Sequence, residues 1–538
     1  MKIRTKINGS HPAVILAVFL AVHFAVWVLA PMVRPNIPMD SVEAIVWGSE
    51  WSFGTNKHPF LGGWLAVISY GIFKNPDLSV YILSQLCVLL GFIYIYKTGR
   101  LFLPTSAALL GTLFLEGTIY YSICSIEYNV NVLSLAVVPM TVYYFYTAME
   151  KDGFGRWCTL GLLMAAALMA KYTNGIVLIA MGLYLIGTKH GRGQFKKPGL
   201  YVAGTVCLAV CLPHIWWLVR HDFYPFVYLT SRTALDTPPS FFISHFVWPV
   251  KFAAAQLVAM ALTLGALFFL YVKAGARKRP EFKKLPPFLF FTGILPLIIW
   301  VLISAVTGIK LKSMWGFAFV SLIPVCALYM MNLTVNERLK KVGVWLAYAM
   351  MAVMAAACVG TSLCHTSVRA NFPGRVFAAQ MKTLWQEKYQ TPLKYTGGDI
   401  WFTSLLYVYL PDKPRVLIQM NPLAAPWIDM DDLQKHGAIV MADNMEEYRA
   451  FQSRVAGVPD PTIVPYRIKS KFGKEKTVMI HYGFLPPQGA GGELSVSSAE
   501  LPEKLFPENK QANKQIGAVR DTENPRTAPS IKMQKEGV

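Results

Sequence analysis

Apolar runs of about 20 residues recur through the first two thirds of this chain, and that feature leaves few folds open to it. Residues 14–33, 200–219 and 286–308 are three of them. A helix of that length crosses the roughly 30 Å hydrocarbon core of a bilayer with its backbone hydrogen bonds closed internally. Composition agrees: of 538 residues, 54% are hydrophobic and only 15% charged. That balance excludes an ordinary water-soluble enzyme.

The net charge of +21 would point to nucleic acid in a soluble domain, but its distribution excludes that partner. Residues 1–364 hold 29 Lys and Arg against 12 Asp and Glu, whereas residues 365–538 hold 22 against 18. The excess therefore lies in short segments between apolar runs, where the positive-inside rule accounts for it. Eight cysteines all fall in or beside apolar segments, with no disulfide framework and no zinc-ligand spacing.

Lys2, Arg4 and Lys6 precede the first run and no small-residue cleavage pattern follows it, so a retained first helix with a cytoplasmic N-terminus is expected. Further spans are expected at 78–96, 103–123, 128–148, 200–219, 248–272, 286–308, 314–332 and 342–363. Residues 157–187 form a longer apolar stretch interrupted at Lys171-Tyr172-Thr173-Asn174-Gly175. As one straight helix it would measure about 46 Å, too long for the bilayer. Two short spans joined at Lys171 instead return Lys189, Arg192, Lys196 and Lys197 to the cytoplasmic side.

The fold class expected is thus a polytopic α-helical membrane protein of about 11 spans with juxtamembrane helices, followed by a C-terminal periplasmic α/β domain. The membrane module covers residues 1–364, with a first outer loop at 34–77. The outer domain covers 365–486, with strands expected near 393–396, 415–420, 438–442 and 477–482 and helices near 401–410 and 429–436. Residues 487–538, rich in Gly, Ser, Glu, Lys, Asn and Pro, read as a disordered tail.

On this topology few carboxylates outside that domain face outward: Asp40, Glu43, Glu50, Asp77, Glu116, Glu127, Asp222 and Asp236. The first outer loop is the densest place. Asp40 and Glu43 stand three apart and share a helix face, a spacing that also suits a capping box. Residues 60–73 are apolar but too short to span, so they lie at or dip into the membrane surface, holding Lys57 and His58 at headgroup level.

Asp40 after the first span, followed by Glu43-Ala44 and Trp47-Gly48, then Lys57-His58-Pro59-Phe60-Leu61 and Trp64-Leu65, resembles a known first outer loop. It is that of the GT-C glycosyltransferases of the protein O-mannosyltransferase and lipid A aminoarabinose transferase superfamily (family 39). Residues 125–131 (Ser-Ile-Glu-Tyr-Asn-Val-Asn), 170–173 (Ala-Lys-Tyr-Thr), and 308–312 with Ser313-Met314-Trp315-Gly316 resemble further family segments. Residues 395–399 (Tyr-Thr-Gly-Gly-Asp) and 426–429 (Pro-Trp-Ile-Asp) resemble the domain that closes many bacterial members. The resemblance covers residues 10–485; each motif is weak alone, and their order is what makes them specific. Two departures are Phe60, where the family has a second proline, and Ser41, where members often carry an acidic residue.

The resemblance implies a polyprenyl-phosphate sugar donor, a lipid-linked or envelope glycan acceptor on the outer face, and a catalytic Asp that maps onto Asp40. The physics is consistent with that role: sugar transfer needs a base for the acceptor hydroxyl and cations for the departing phosphate. Asp40 is the expected base with Glu43 in a lesser role, and Lys57, His58, Lys171 and Arg220 are the candidate phosphate holders. Glu127, Tyr128, Asn131, Lys312 and Trp315 are candidates for substrate contact. Glu127 either assists the acceptor or caps the helix starting near Tyr128; Trp315 either stacks on a sugar or anchors the interface. Glu116 is expected to pair with Lys171. No cofactor is called for, no metal ligands are assigned, and a divalent metal is left open. The expected setting is a bacterial inner membrane, with membrane lipids as partners and lipid A or another envelope glycan as acceptor. The competing class, a transporter or lipid flippase, would place its charges along a translocation path and often shows inverted repeats. No internal repeat is visible here, and the polar residues gather on one side.

Overall fold

A computed structural model describes residues 11–227, 239–275, 282–366, 369–472 and 475–488. Lys2, Arg4, Lys6, Asp236 and the tail expected to be disordered, from residue 489 onward, lie outside them. Six helices among the described residues are long and apolar enough to cross a membrane: Pro12–Val33, Pro76–Phe102, Val130–Lys151, Pro198–Arg220, Pro287–Thr307 and Glu337–Cys364. Three more pairs of helical segments add one crossing each if both halves are counted together, bent by 84° at Thr118, 64° at Met260 and 53° at Ser321-Leu322. The apolar pattern of 103–123, 248–272 and 314–332 predicts a span at each, and the structure bends all three. The first bend follows from its neighbours: after Leu113 the chain tightens into 3-10 turns. The freed Phe114 carbonyl accepts from Thr263 Oγ1 at 2.7 Å, and Thr118 Oγ1 bonds Thr263 Oγ1 at 2.9 Å.

The first ten α-helices are α1 (Pro12–Leu29), α2 (Met39–Ser49), α3 (Leu61–Phe73), α4 (Pro76–Phe102), α5 (Thr105–Leu113), α6 (Val130–Lys151), α7 (Phe154–Ala170), α8 (Gly175–Gly187), α9 (Lys189–Gln194) and α10 (Pro198–Arg220). α7 and α10 run parallel. At one end a Cβ on Gly199 would fall 2.1 Å from the Trp157 indole nitrogen, so only glycine allows this approach. Midway, Ala165 and Met169 pack with Cys207 and Cys211; at the other end Tyr172 OH bonds His214 Nε2 at 3.0 Å. Two parallel helices need a return between them, and α8 supplies it, so Lys171 sits at the tip of a hairpin. Glu150 meets His190 at 3.5 Å and Asp152 meets Lys197 at 4.0 Å, which places both basic segments at the same end of the bundle.

The C-terminal region carries a five-stranded sheet in the order β2-β1-β3-β5-β4. β1 (Tyr395–Gly398), β2 (Arg415–Ile418) and β3 (Ala438–Ala442) are parallel, and β4 (Thr462–Lys469) and β5 (Glu475–Leu485) are antiparallel additions. β4 and the helices Gly374–Tyr389 and Met445–Arg454 were not expected from the sequence. Pro465 breaks the strand signal of β4, and the structure puts that strand at the sheet edge, where a missing N–H is tolerated.

The sheet domain grips the membrane module through α2. Val46 and Trp47 are buried in one apolar cluster with Tyr395, Ile400, Val416 and Leu417 of the domain. At the end of α2, Arg415 Nη2 meets Glu50 Oε2 at 2.6 Å, and Tyr409 OH donates to Asn36 Oδ1 at 2.5 Å.

Candidate active site

α2 starts after Pro38, which places Asp40 in its first turn, where the helix dipole favours a carboxylate. The capping box is not formed: Pro38 occupies the cap and offers no side-chain acceptor. Asp40 instead reaches across to the segment before α6. Its Oδ2 accepts from Asn129 Nδ2 at 3.0 Å, and its backbone N–H donates to Glu127 Oε1 at 3.1 Å. Oδ1 has no hydrogen-bond partner among the described residues and is the free face of the carboxylate.

Glu127 therefore does not cap α6. Asn129 does, its Oδ1 accepting from Asn131 N at 2.9 Å and Val132 N at 3.2 Å. One amide thus anchors a helix with its oxygen and orients Asp40 with its nitrogen. Burial, then Asp40 beside it, pushes the Glu127 carboxyl above the usual carboxylate range.

Lys57 and Glu43 form a nearly symmetric pair, Nζ to Oε1 at 3.1 Å and Oε2 at 3.0 Å, with the ammonium 5.5 Å from the Trp47 ring centroid. α2 and α3 cross closely enough to hold this loop in place: a Cβ on Gly48 would fall 2.0 Å from the Gly63 carbonyl oxygen. Lys171, 7% exposed at the hairpin tip, donates to Asn131 Oδ1 at 2.6 Å. Burial lowers its ammonium to about 7, partly opposed by Asp40. Asp40, Glu43, Lys57, Glu127, Asn131 and Lys171 are thus brought into one charged constellation.

Several residues that the sequence offers as site candidates take other roles once folded. His58 packs edge-on against Trp47, ring centroids 6.0 Å apart, and burial followed by Lys171 and Lys57 lowers it to about 3. Its surroundings therefore favour the neutral imidazole. Tyr128 is fully buried with its hydroxyl given to the Gly62 carbonyl at 3.1 Å, so it fastens α3 and does not face a substrate. Arg220 is exposed at the end of α10, its guanidinium 5.4 Å from the Trp216 ring centroid, outside the constellation. Lys312 is exposed, and Trp315 packs on Trp300 with centroids 5.4 Å apart. Glu116 pairs not with Lys171 but with His23 Nδ1 at 2.6 Å and Trp27 Nε1 at 2.8 Å, a buried knot tying α1 to the bent span. Asn129 is the residue that sequence reasoning missed; its signal was an Asn standing immediately before the apolar run of α6.

The family model for dolichyl-phosphate-mannose-protein mannosyltransferase matches residues 57–217, a segment that starts at Lys57 and includes Glu127, Asn129 and Lys171. The lipopolysaccharide core galacturonosyltransferase RgtA of Rhizobium johnstonii is 20% identical over 419 residues, 74% of this chain and 81% of that protein. The crystal structure of ArnT from Cupriavidus metallidurans bound to undecaprenyl phosphate matches with a TM-score of 0.59 at 16% identity, over 88% of this chain and 98% of ArnT. The apo ArnT structure matches with a TM-score of 0.56 at 15% identity, over 87% and 97%. With its many apolar helices and closing sheet domain, the chain has a multi-pass membrane fold similar to that of ArnT, and its residues 57–217 match the mannosyltransferase family model.

Proposed function

We propose that this transferase moves a sugar from a polyprenyl-phosphate donor to a hydroxyl of an outer-face acceptor, lipid A or another envelope glycan, with Asp40 as general base. The observation that carries this reading is the aspartate itself: a carboxylate in the first turn of α2, oriented by Asn129 on one oxygen and open on the other. In the reaction the acceptor O–H gives its proton to Asp40 Oδ1 and its oxygen bonds the anomeric carbon. The bond from that carbon to the phosphate oxygen breaks, and polyprenyl phosphate leaves with the negative charge. Lys171 and Lys57 receive that charge in a partly desolvated setting, where each contact is worth more than in water. Glu43 acts by holding Lys57 in place.

In this reading the Asp40 end of the bundle and the sheet domain, residues 365–486, are periplasmic. The end carrying Lys151, Arg156, Lys189 and Lys197 is cytoplasmic, following the positive-inside bias. The test is single-turnover transfer by purified Asp40→Asn beside its affinity for undecaprenyl phosphate. Turnover should fall by about 10²-fold or more, since shape and hydrogen bonding survive but basicity does not, while binding stays. Near-normal turnover would remove Asp40 from the chemistry.

A further inference from the structure

A cavity of about 550 Å³ opens where the first span, the start of α4 and the helix Gly374–Tyr389 meet; Arg34, Asp77 and Arg375 line it together with Met32, Leu78 and Val376. Its size is that of a small-molecule site. Its charge is net positive: two guanidiniums face one carboxylate. Asp77 is taken by Arg375, in an ion pair on the half-exposed rim, and the Arg375 guanidinium lies 4.6 Å from the Tyr409 ring centroid. Arg34 is the deeper cation and has no carboxylate partner among the described residues. It donates from Nε to Ser362 Oγ at 2.8 Å and leans on Cys358 Sγ at 3.8 Å from Nη2, which fixes the plane of its fork.

Two fully buried polar atoms near the cavity's lining residues lack a partner among the described residues: the Asn36 amide nitrogen and the Tyr81 hydroxyl. Tyr81 stands one helical turn beyond Asp77 on the same face of α4, within electrostatic reach of Arg34 and Asp77. The mouth is apolar: Met32 is 37% exposed and Val376 54% exposed, at the level where the first span ends. An arginine floor under an apolar mouth at the membrane boundary matches a phosphate ester carried on acyl chains.

Arg34 stands six residues before Asp40 in the chain, and both act electrostatically on Glu127, whose Oε1 accepts from the Asp40 backbone N–H. In the transferase reading the lysines serve the donor, which leaves Arg34 for the acceptor.

We propose that the cavity between Arg34 and Arg375 receives the phosphate-bearing headgroup of the lipid acceptor, which brings that headgroup toward Asp40. The assignment rests on the transferase reading for the word acceptor and on the cavity alone for the phosphate lipid. The test uses the full chain in phosphatidylcholine nanodiscs and measures retention of dioleoyl phosphatidic acid, with inorganic phosphate as competitor and undecaprenyl phosphate in a separate arm. Arg34→Gln, Arg375→Gln and Val376→Trp, which fills the mouth without changing charge, should each weaken phosphatidic acid by about tenfold. Undecaprenyl phosphate affinity should stay within about twofold of wild type. Unchanged phosphatidic acid retention in Arg375→Gln and Val376→Trp, both on the exposed rim and tolerant of change, overturns the proposal. Inorganic phosphate competing as well as the lipid overturns the lipid assignment. Loss of undecaprenyl phosphate in the same variants makes this a donor site and overturns the acceptor assignment. If Asp40→Asn keeps its turnover, the catalytic reading fails while these binding results stand.

Discussion

Lys171 is the side chain whose protonation answers most directly to what binds beside it. Buried to 7% exposure and lowered to about 7, it is near half-charged at neutral pH. A phosphodiester beside it favours the ammonium and draws the bound value upward. The sign follows: well below pH 7 the lysine is already charged and affinity is flat on its account. Above pH 7 binding must take up a proton, and affinity falls by up to about tenfold per unit until the bound value is reached. Titrating polyprenyl methyl phosphate, a sugar-free phosphodiester, between pH 6 and 9 checks this (a range set about the Lys171 value). Wild type should show the slope and Lys171→Arg should lose it, since a guanidinium stays charged throughout. A slope that survives in Lys171→Arg would assign it to another group. Lys171, Asp40 and Lys57 were legible in the sequence because polar groups at the ends of apolar runs are costly and therefore few. The charge state of His58 was not, because it depends on burial and on Lys171, which only the fold brings near it.

At the scale of elements, the start of α6 couples a helix cap to Asp40, the proposed base, through Asn129. Asn129→Ala removes both functions: about 1 kcal/mol of cap stability and the hydrogen bond to Asp40. Asn129→Asp keeps an oxygen for the cap but replaces the donor with a carboxyl facing Asp40. Transfer should fall by about tenfold or more in both variants, while the thermal midpoint drops clearly only in Asn129→Ala. Equal midpoints and unchanged transfer in Asn129→Asp would reduce Asn129 to a cap. That double use was hidden because the cap is local but the bond to Asp40 spans 89 residues. The α7–α8 hairpin, by contrast, was legible from span length and the basic residues that follow it. The bends at Thr118, Met260 and Ser321-Leu322 were not, since an apolar run has the same composition straight or broken. Within the sheet domain β2 and β3 carry the apolar runs that buried parallel strands require, while β4 is masked by Pro465.

For the whole molecule, the sheet domain does more than close the chain, because α2 lies between it and the membrane bundle. α2 gives Val46 and Trp47 to the domain's core and presents Asp40 and Glu43 to Asn129 and Lys57. Sequence patterns foretold both parts but not their joint, since Glu50 and Arg415 are 365 residues apart and each reads as a surface charge. Glu50 stands at the C-terminal end of α2, where the helix dipole disfavours an anion, and it is 8% exposed. Arg415 offsets both penalties with contacts at 2.6 and 3.3 Å, although its own 38% exposure lets water screen part of the gain. Arg415→Ala should therefore destabilise by about 1–2 kcal/mol, mostly by stranding Glu50. Transfer should also slow by about threefold to tenfold as α2 loosens, although Arg415 touches no substrate in this reading. Arg415→Met combined with Glu50→Leu removes the stranded charge and keeps the packing, so it should recover most of both losses. Thermal unfolding and single-turnover transfer on the three proteins separate the possibilities. Lost stability with full transfer in Arg415→Ala would mean the domain merely sits on the bundle, whereas parallel loss and parallel rescue make it the clamp that sets the aim of Asp40.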